Sequence, residues 1–193
     1  MSDSPRILIV GGPNGSGKTT LALEYSREFC LPYIGADAIA ESLNPANPAA
    51  ARVAAGRQFL ETLEDYRSQK ASCVCESTLS GLTMRNFIAS AQMAAYSIDI
   101  AFLFVDSADA CVARVAERVR KGGHNVPASD IRRRFTRSLD NFWRIYRELA
   151  DNWVLIYNGM TAMQDVATGS RDQTTVRNHE LYSTYLTLVG ETP

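Results

Sequence analysis

Residues 6–20 read RILIVGGPNGSGKTT, and this stretch decides the fold. The run 6–10 is apolar and rich in β-branched residues, and it stops at Gly11-Gly12. That is the pattern of a buried strand running into a tight loop. Gly12-Pro13-Asn14-Gly15-Ser16-Gly17-Lys18-Thr19 then matches G-x-x-x-x-G-K-[ST] without a gap, with Thr20 directly after it. The three glycines let the backbone bend so that its N–H groups converge on phosphate oxygens. Lys18 brings a cation to the β and γ phosphates, and the Thr19 hydroxyl is a ligand for Mg²⁺. A helix opening at Lys18 adds the positive end of its dipole. A chance glycine-rich turn would not sit between a strand and a helix, so ATP with Mg²⁺ is the expected cofactor pair.

Working outward, the spacing predicts strands over 31–35, 71–76, 97–106 and 152–158. It predicts helices over 18–30, 49–69, 82–95, 108–120 and 129–149. Val53, Phe59, Leu60, Leu63 and Tyr66 form the apolar side of the second helix. Strands alternating with helices imply a three-layer α/β domain, a P-loop NTPase or kinase fold with a mostly parallel central sheet. A core of about 6–158 with an appendage over 159–193 accounts for the whole of 1–193 as one domain. In such sheets ligands sit beyond the carboxyl ends of the strands, so the residues after each strand share one crevice.

Composition narrows the class. The chain has 193 residues, 46% of them hydrophobic, and a formal net charge of -1. No apolar run is long enough to span a bilayer, and the N-terminus does not read as a signal peptide. Four cysteines and two histidines show neither disulfide-framework nor zinc-type spacing, and the cysteines read as buried. A soluble, cytoplasmic domain without membrane partners is expected. Near-neutral charge argues against a dedicated nucleic-acid binder, but the average hides a cluster. Eight basic residues and two acidic ones lie within 114–137, and seven of the eight are Arg. Arginine grips phosphate with a planar fork of donors, so this stretch reads as a lid over a triphosphate.

Other P-loop classes fit less well. No N-K-x-D motif for guanine occurs. Thr78-Leu79-Ser80-Gly81 echoes a transporter signature but stands too close to the P-loop, and Ser107 takes the place of a catalytic Glu after Asp106. A small kinase needs a base for the acceptor hydroxyl, an acid near Mg²⁺ and an arginine-bearing lid. Asp37 follows the second strand, Glu76 follows the third, and Arg118 and Arg120 lead into a Gly-Gly flap. Asp37 also reads as an N-cap, and one carboxylate can do both.

The ordered set GGPNGSGKTT (11–20), YIGADAIAESLNP (33–45), CESTLSG (75–81), RVAERVRKGGHNVPASDIRRRF (114–135) and WVLIYN (153–158) resembles the zeta-toxin-type P-loop kinases, over about 11–158. The resemblance implies that Asp37 is the catalytic base for a sugar hydroxyl. Glu76 would sit by the metal shell or the substrate, Thr78 would touch the substrate, and Arg118 would stabilise the transferring phosphoryl group. Where the active toxins carry a second lid arginine this chain has His124. The role then falls to His124 or to Arg120, Arg132 or Arg133. Tyr157 and Asn158 match the family's residues near the nucleotide base, or are a core tyrosine and a turn asparagine. The resemblance further implies a small-molecule acceptor of the sugar-nucleotide kind and a possible antitoxin partner that blocks the ATP site. The alternative is a regulatory ATPase with no phosphoryl acceptor.

Overall fold

Strand β1 (Arg6–Gly11) is central because it is apolar on both faces: Ile7 and Ile9 enter one hydrophobic layer, Leu8 and Val10 the other. The computed structural model describes residues 4–159, 162–171 and 173–192. Around β1 stand β2 (Tyr33–Gly35), β3 (Cys73–Ser77), β4 (Ser97–Phe104) and β5 (Asn152–Asn158), all parallel. Strands β6 (Met163–Ser170) and β7 (Thr174–Val176) continue the sheet antiparallel, giving the order β2-β3-β1-β4-β5-β6-β7. The fold is therefore α/β with a mostly parallel central sheet.

The helical layers are unequal. α1 (Lys18–Glu28) alone supplies helix residues, Leu21 and Ala22, to the smaller cluster on one sheet face. The other face carries α3 (Arg52–Ser68), α4 (Thr83–Met93), α5 (Ala108–Arg120), α6 (Ala128–Asn141) and α8 (His179–Leu188), with α2 (Ala36–Leu43) at the edge. Between α6 and the short α7 (Arg147–Leu149) the chain makes a π turn, Phe142–Tyr146.

Several expectations need correction. The residues after 158 are not a mere appendage: β6 and β7 extend the sheet, and Tyr185 of α8 is fully buried among Phe102, Phe104, Phe142 and Trp143. The hairpin is polar on its outer strand, which is why it does not read as strand by periodicity. Val53 faces solvent at 81% exposure, because it stands two residues, about 200° of helix, from the start of the buried stripe Ala55, Phe59 and Leu63 of α3. Cys73, Cys75 and Cys111 are buried as expected, whereas Cys30 is exposed. Among the described residues no helix is long and apolar enough to cross a membrane.

The aromatic cluster ties the C-terminal elements to β4. Phe142 is fully buried, stacks on Phe102 at 4.2 Å and meets Trp153 and Tyr185 edge-on. Phe142→Ala is expected to cost about 3–5 kcal/mol through lost transfer energy and an unfilled cavity. A urea titration checks this, read as a lower midpoint with unchanged slope.

Candidate active site

The phosphate loop lies between β1 and α1 and is shaped by its neighbours. Gly17 has φ +98°, and a Cβ there would stand 2.4 Å from Asn158 Nδ2. Gly12 has φ +140°, and a Cβ there would meet the Leu103 carbonyl oxygen at 2.3 Å. Only glycine fits either place. Asn158 Nδ2 donates to the Ser16 carbonyl at 2.8 Å, and Arg114 Nη2 donates to the Asn158 and Gly159 carbonyls at 2.8 Å each. The end of β5 thus props the loop. Tyr157 turns away, its hydroxyl donating to Asp106 Oδ1 at 2.7 Å. Neither Tyr157 nor Asn158 lines the cleft; Asn158 supports the loop, while Tyr157 bonds to Asp106.

Lys18 is 8% exposed, and its Nζ donates to the Pro13 carbonyl at 3.0 Å. Burial lowers its pKa, and the carboxylates of Glu76 and Asp37 oppose that shift. A buried ammonium held by one carbonyl and faced by two carboxylates is poised to exchange that contact for a phosphate oxygen. Asn14, Gly15, Gly17, Lys18, Thr19 and Thr20 all line one cleft of about 640 Å³.

The opposite wall of that cleft carries Asp37, Glu76 and Thr78. Helix α2 opens at Ala36 with Gly35 as N-cap, so Asp37 sits in the first turn and is not the cap. Its exposed carboxylate makes no hydrogen bond or ion pair among the described residues. Glu76 is 8% exposed, and its Oε2 is buried with no hydrogen-bond partner. The Tyr33 hydroxyl lies over Gly35, the register partner of Glu76, and burial together with that carboxylate raises the tyrosine pKa well above normal. Thr78 Oγ1 and Ser80 Oγ are 2.9 Å apart. The loop they occupy is fixed from α6 and the π turn. Ser138 Oγ donates to the Thr78 carbonyl, Asn141 Nδ2 to Leu79 at 2.9 Å, and the Tyr146 hydroxyl to Gly81 at 2.6 Å.

For a divalent cation, the exposed Thr19 hydroxyl and the orphaned Glu76 Oε2 are the fitting donors. Among the described residues no group of three or more His, Cys, Asp or Glu gathers as a metal cage. Two hard oxygen donors suit Mg²⁺, which keeps water and phosphate oxygens in its shell.

The arginines divide into two sets. Arg120, Arg132 and Arg133 point outward and pair with Glu117, Asp109 and Asp130. The cleft is lined instead by Arg52, Arg114, Arg118 and Arg134. Among the described residues none of these four makes an ion pair; every bond they form is to a neutral acceptor. Arg118 Nη2 donates to the His124 carbonyl at 2.8 Å while its Nε is buried and unpartnered. Arg134 Nη1 approaches Asn14 Oδ1 at 3.5 Å. Arg52 Nη2 meets His124 Nε2 at 2.9 Å and donates to the Asn125 carbonyl at 2.8 Å. His124 lines the cleft, its pKa lowered by burial, with Asp37 opposing and Arg52 and Arg118 reinforcing. Of the arginines offered by sequence for the inner role, Arg118 alone is in the cleft. Arg52, Arg114 and Arg134 are additions. Arg134 shares a stripe with buried Ile131, Phe135 and Ser138, and that spacing is the signal for it.

The AAA domain family profile matches residues 7–141. The chain belongs to that family. It is 29% identical over 124 residues to an uncharacterised protein of Haemophilus influenzae, across 64% of this chain and 88% of that one. A chain of the AvrRxo1-ORF1:AvrRxo1-ORF2 complex superposes with TM-score 0.73 at 18% identity, over 94% of this chain. The present chain spans only 63% of that protein's length. The PezAT chromosomal toxin-antitoxin system of Streptococcus pneumoniae gives TM-score 0.68 at 14% identity, over 95% of this chain and 79% of that one. Shikimate kinase from Acinetobacter baumannii, in complex with shikimate, gives 0.50 at 18%, over 96% and 94%. At these identities the likeness to the solved structures is one of fold, a P-loop kinase-like fold.

Proposed function

We propose that this member of the AAA domain family is an ATP- and Mg²⁺-dependent phosphotransferase acting on a small-molecule hydroxyl. One observation carries the reading: Lys18 and four arginines free of ion pairs surround a cleft whose other wall presents Asp37 and Glu76. Uncompensated cations fit a polyphosphate, and an accessible carboxylate opposite them fits a base.

In this reading the backbone N–H groups of residues 14–20 and the Lys18 ammonium hold the β and γ phosphates. Thr19, with Glu76 behind it, would hold Mg²⁺, which would offset negative charge on the phosphates. Asp37 takes the proton of the acceptor hydroxyl as its oxygen bonds to the γ phosphorus. The bond from that phosphorus to the bridging oxygen breaks, and ADP leaves. Arg118 spreads charge away from the transferring group. Thr78, with Ser80, orients the acceptor.

The finer assignment is a zeta-toxin-like kinase of a sugar nucleotide or related metabolite, working in the cytoplasm. An antitoxin-like protein as partner gains support because PezAT is a chromosomal toxin-antitoxin system and AvrRxo1-ORF1 stands in a complex with ORF2. A complex of that pair with ATP supports the choice of nucleotide.

The test is transfer from γ-labelled ATP to sugar nucleotides, nucleosides, simple polyols and RNA 5′ ends. Label on a small molecule, dependent on Mg²⁺, is expected. Release of labelled phosphate alone would instead make the protein a nucleotide-hydrolysing regulator.

A further inference from the structure

The cleft holds more positive charge than a nucleotide uses. Its lining has five cations, Lys18, Arg52, Arg114, Arg118 and Arg134, and two carboxylates, Asp37 and Glu76. The surplus is three. ATP carries roughly -2 once Mg²⁺ offsets half of its charge. Closing the lid over Mg·ATP would therefore leave a cation unmatched in a site that excludes water, where an unpaired charge is costly.

The position of the spare cation is marked. Arg114 and Arg118 come from α5 and Arg134 from α6, and their bonds run to the phosphate loop, its prop at 158–159 and the lid. Arg52 alone comes from α3, which packs against the Asp37-bearing α2. It is half-buried, and the hydrogen bonds of its guanidinium, to the His124 ring and the Asn125 carbonyl, are both to uncharged atoms of the lid loop. One helical turn on, Gly56 also lines the cleft, and a Cβ there would meet nothing within 4 Å. Beside Arg52, then, is open volume. The apolar side chains of Phe59 and Met84 and the hydroxyls of Thr78, Ser80 and Thr83 line the same chamber.

Resting on the kinase reading above, we propose that the acceptor is an anionic polyol and that Arg52 binds its anionic group, phosphate or carboxylate. The hydroxyls of Thr78, Ser80 and Thr83 take the polyol, and the space over Gly56 holds its body. Binding exchanges the Arg52 bond to a ring nitrogen for one to an anionic oxygen, in which both partners are ionised and the bond is stronger. An anionic acceptor thereby matches the third positive charge.

The experiment uses the full chain and γ-labelled ATP with matched acceptors: a neutral sugar, the same sugar as its phosphate ester, and the corresponding sugar acid. Transfer to one of the two anionic forms is expected at least about tenfold above the neutral sugar in kcat/KM, and which of them responds separates phosphate from carboxylate. Arg52→Gln should raise KM for that acceptor about tenfold or more and erase the preference, while ATP affinity measured by calorimetry stays as in the parent. Arg52→Lys, which keeps the charge but not the fork, should restore part of the preference. Gly56→Leu should block the acceptor and spare ATP binding. Equal transfer to the neutral sugar, or a preference that survives Arg52→Gln, overturns the assignment of Arg52. Absence of transfer to any acceptor, with ATP bound, overturns the kinase reading and this inference with it.

Discussion

Asp37→Asn is expected to lower phosphoryl transfer by about 10²- to 10⁴-fold, the usual worth of a positioned base. ATP affinity should change by no more than about twofold, because among the described residues the side chain makes no hydrogen bond or ion pair to the phosphate loop and acts on Lys18 only through its charge. The amide keeps the shape and removes the proton acceptor. The carboxylate is exposed, stands in the first turn of α2 and, among the described residues, has no bond that would compete for its lone pairs. Because Gly35 occupies the N-cap position, Asp37→Asn removes no cap, and the melting temperature serves as a control. Single-turnover transfer and calorimetry of ATP binding together check the prediction. Equal loss of both would place Asp37 in nucleotide binding and not in proton transfer.

Arg118→Ala is expected to reduce transfer by about 10³-fold or more, in the range found for arginines that meet a transferring phosphoryl group. Two losses combine here. The guanidinium leaves the cleft, and the bond from Nη2 to the His124 carbonyl goes with it, so the lid loop loses an anchor. The buried, unpartnered Nε is the donor left over for a ligand. Arg118→Lys separates the two contributions, since an ammonium keeps charge without the planar fork. It should recover only a minor part of kcat. Arg120→Ala, whose parent side chain is 76% exposed and paired with Glu117, should change transfer little.

The nucleotide half of the site is legible in sequence because it is contiguous: one strand, one loop and one helix start carry it. Asp37, Glu76 and Thr78 are legible for a related reason, since each stands at or just beyond the end of a strand that the parallel topology fixes. Arg52 is not. Its partner His124 lies 72 residues away, and nothing local distinguishes Arg52 from any other arginine at the head of a helix. The triplet Arg132-Arg133-Arg134 shows an intermediate case. Successive helical residues point about 100° apart, so only one can face the cleft, and only the phase of the buried stripe chooses Arg134. The β6–β7 hairpin escaped because a polar strand at a sheet margin lacks the apolar alternation by which strands are read.

The π turn at Phe142–Tyr146 gives the helix one residue more than α geometry would accommodate between its two ends. Asn141 precedes that turn and Tyr146 closes it, and both reach the same loop at Leu79 and Gly81. A π turn of five residues sweeps nearly the same angle as four residues of α-helix, so the extra residue is absorbed within the turn and the chain beyond keeps its phase. A deletion in the ordinary turns of α6 has no such slack and would rotate everything beyond it by about 100°. Asn141 and Tyr146 would both swing off the loop, which would lose two tethers without any change in its own sequence. Chain length in α6 is thus under the same constraint as residue identity in the cleft.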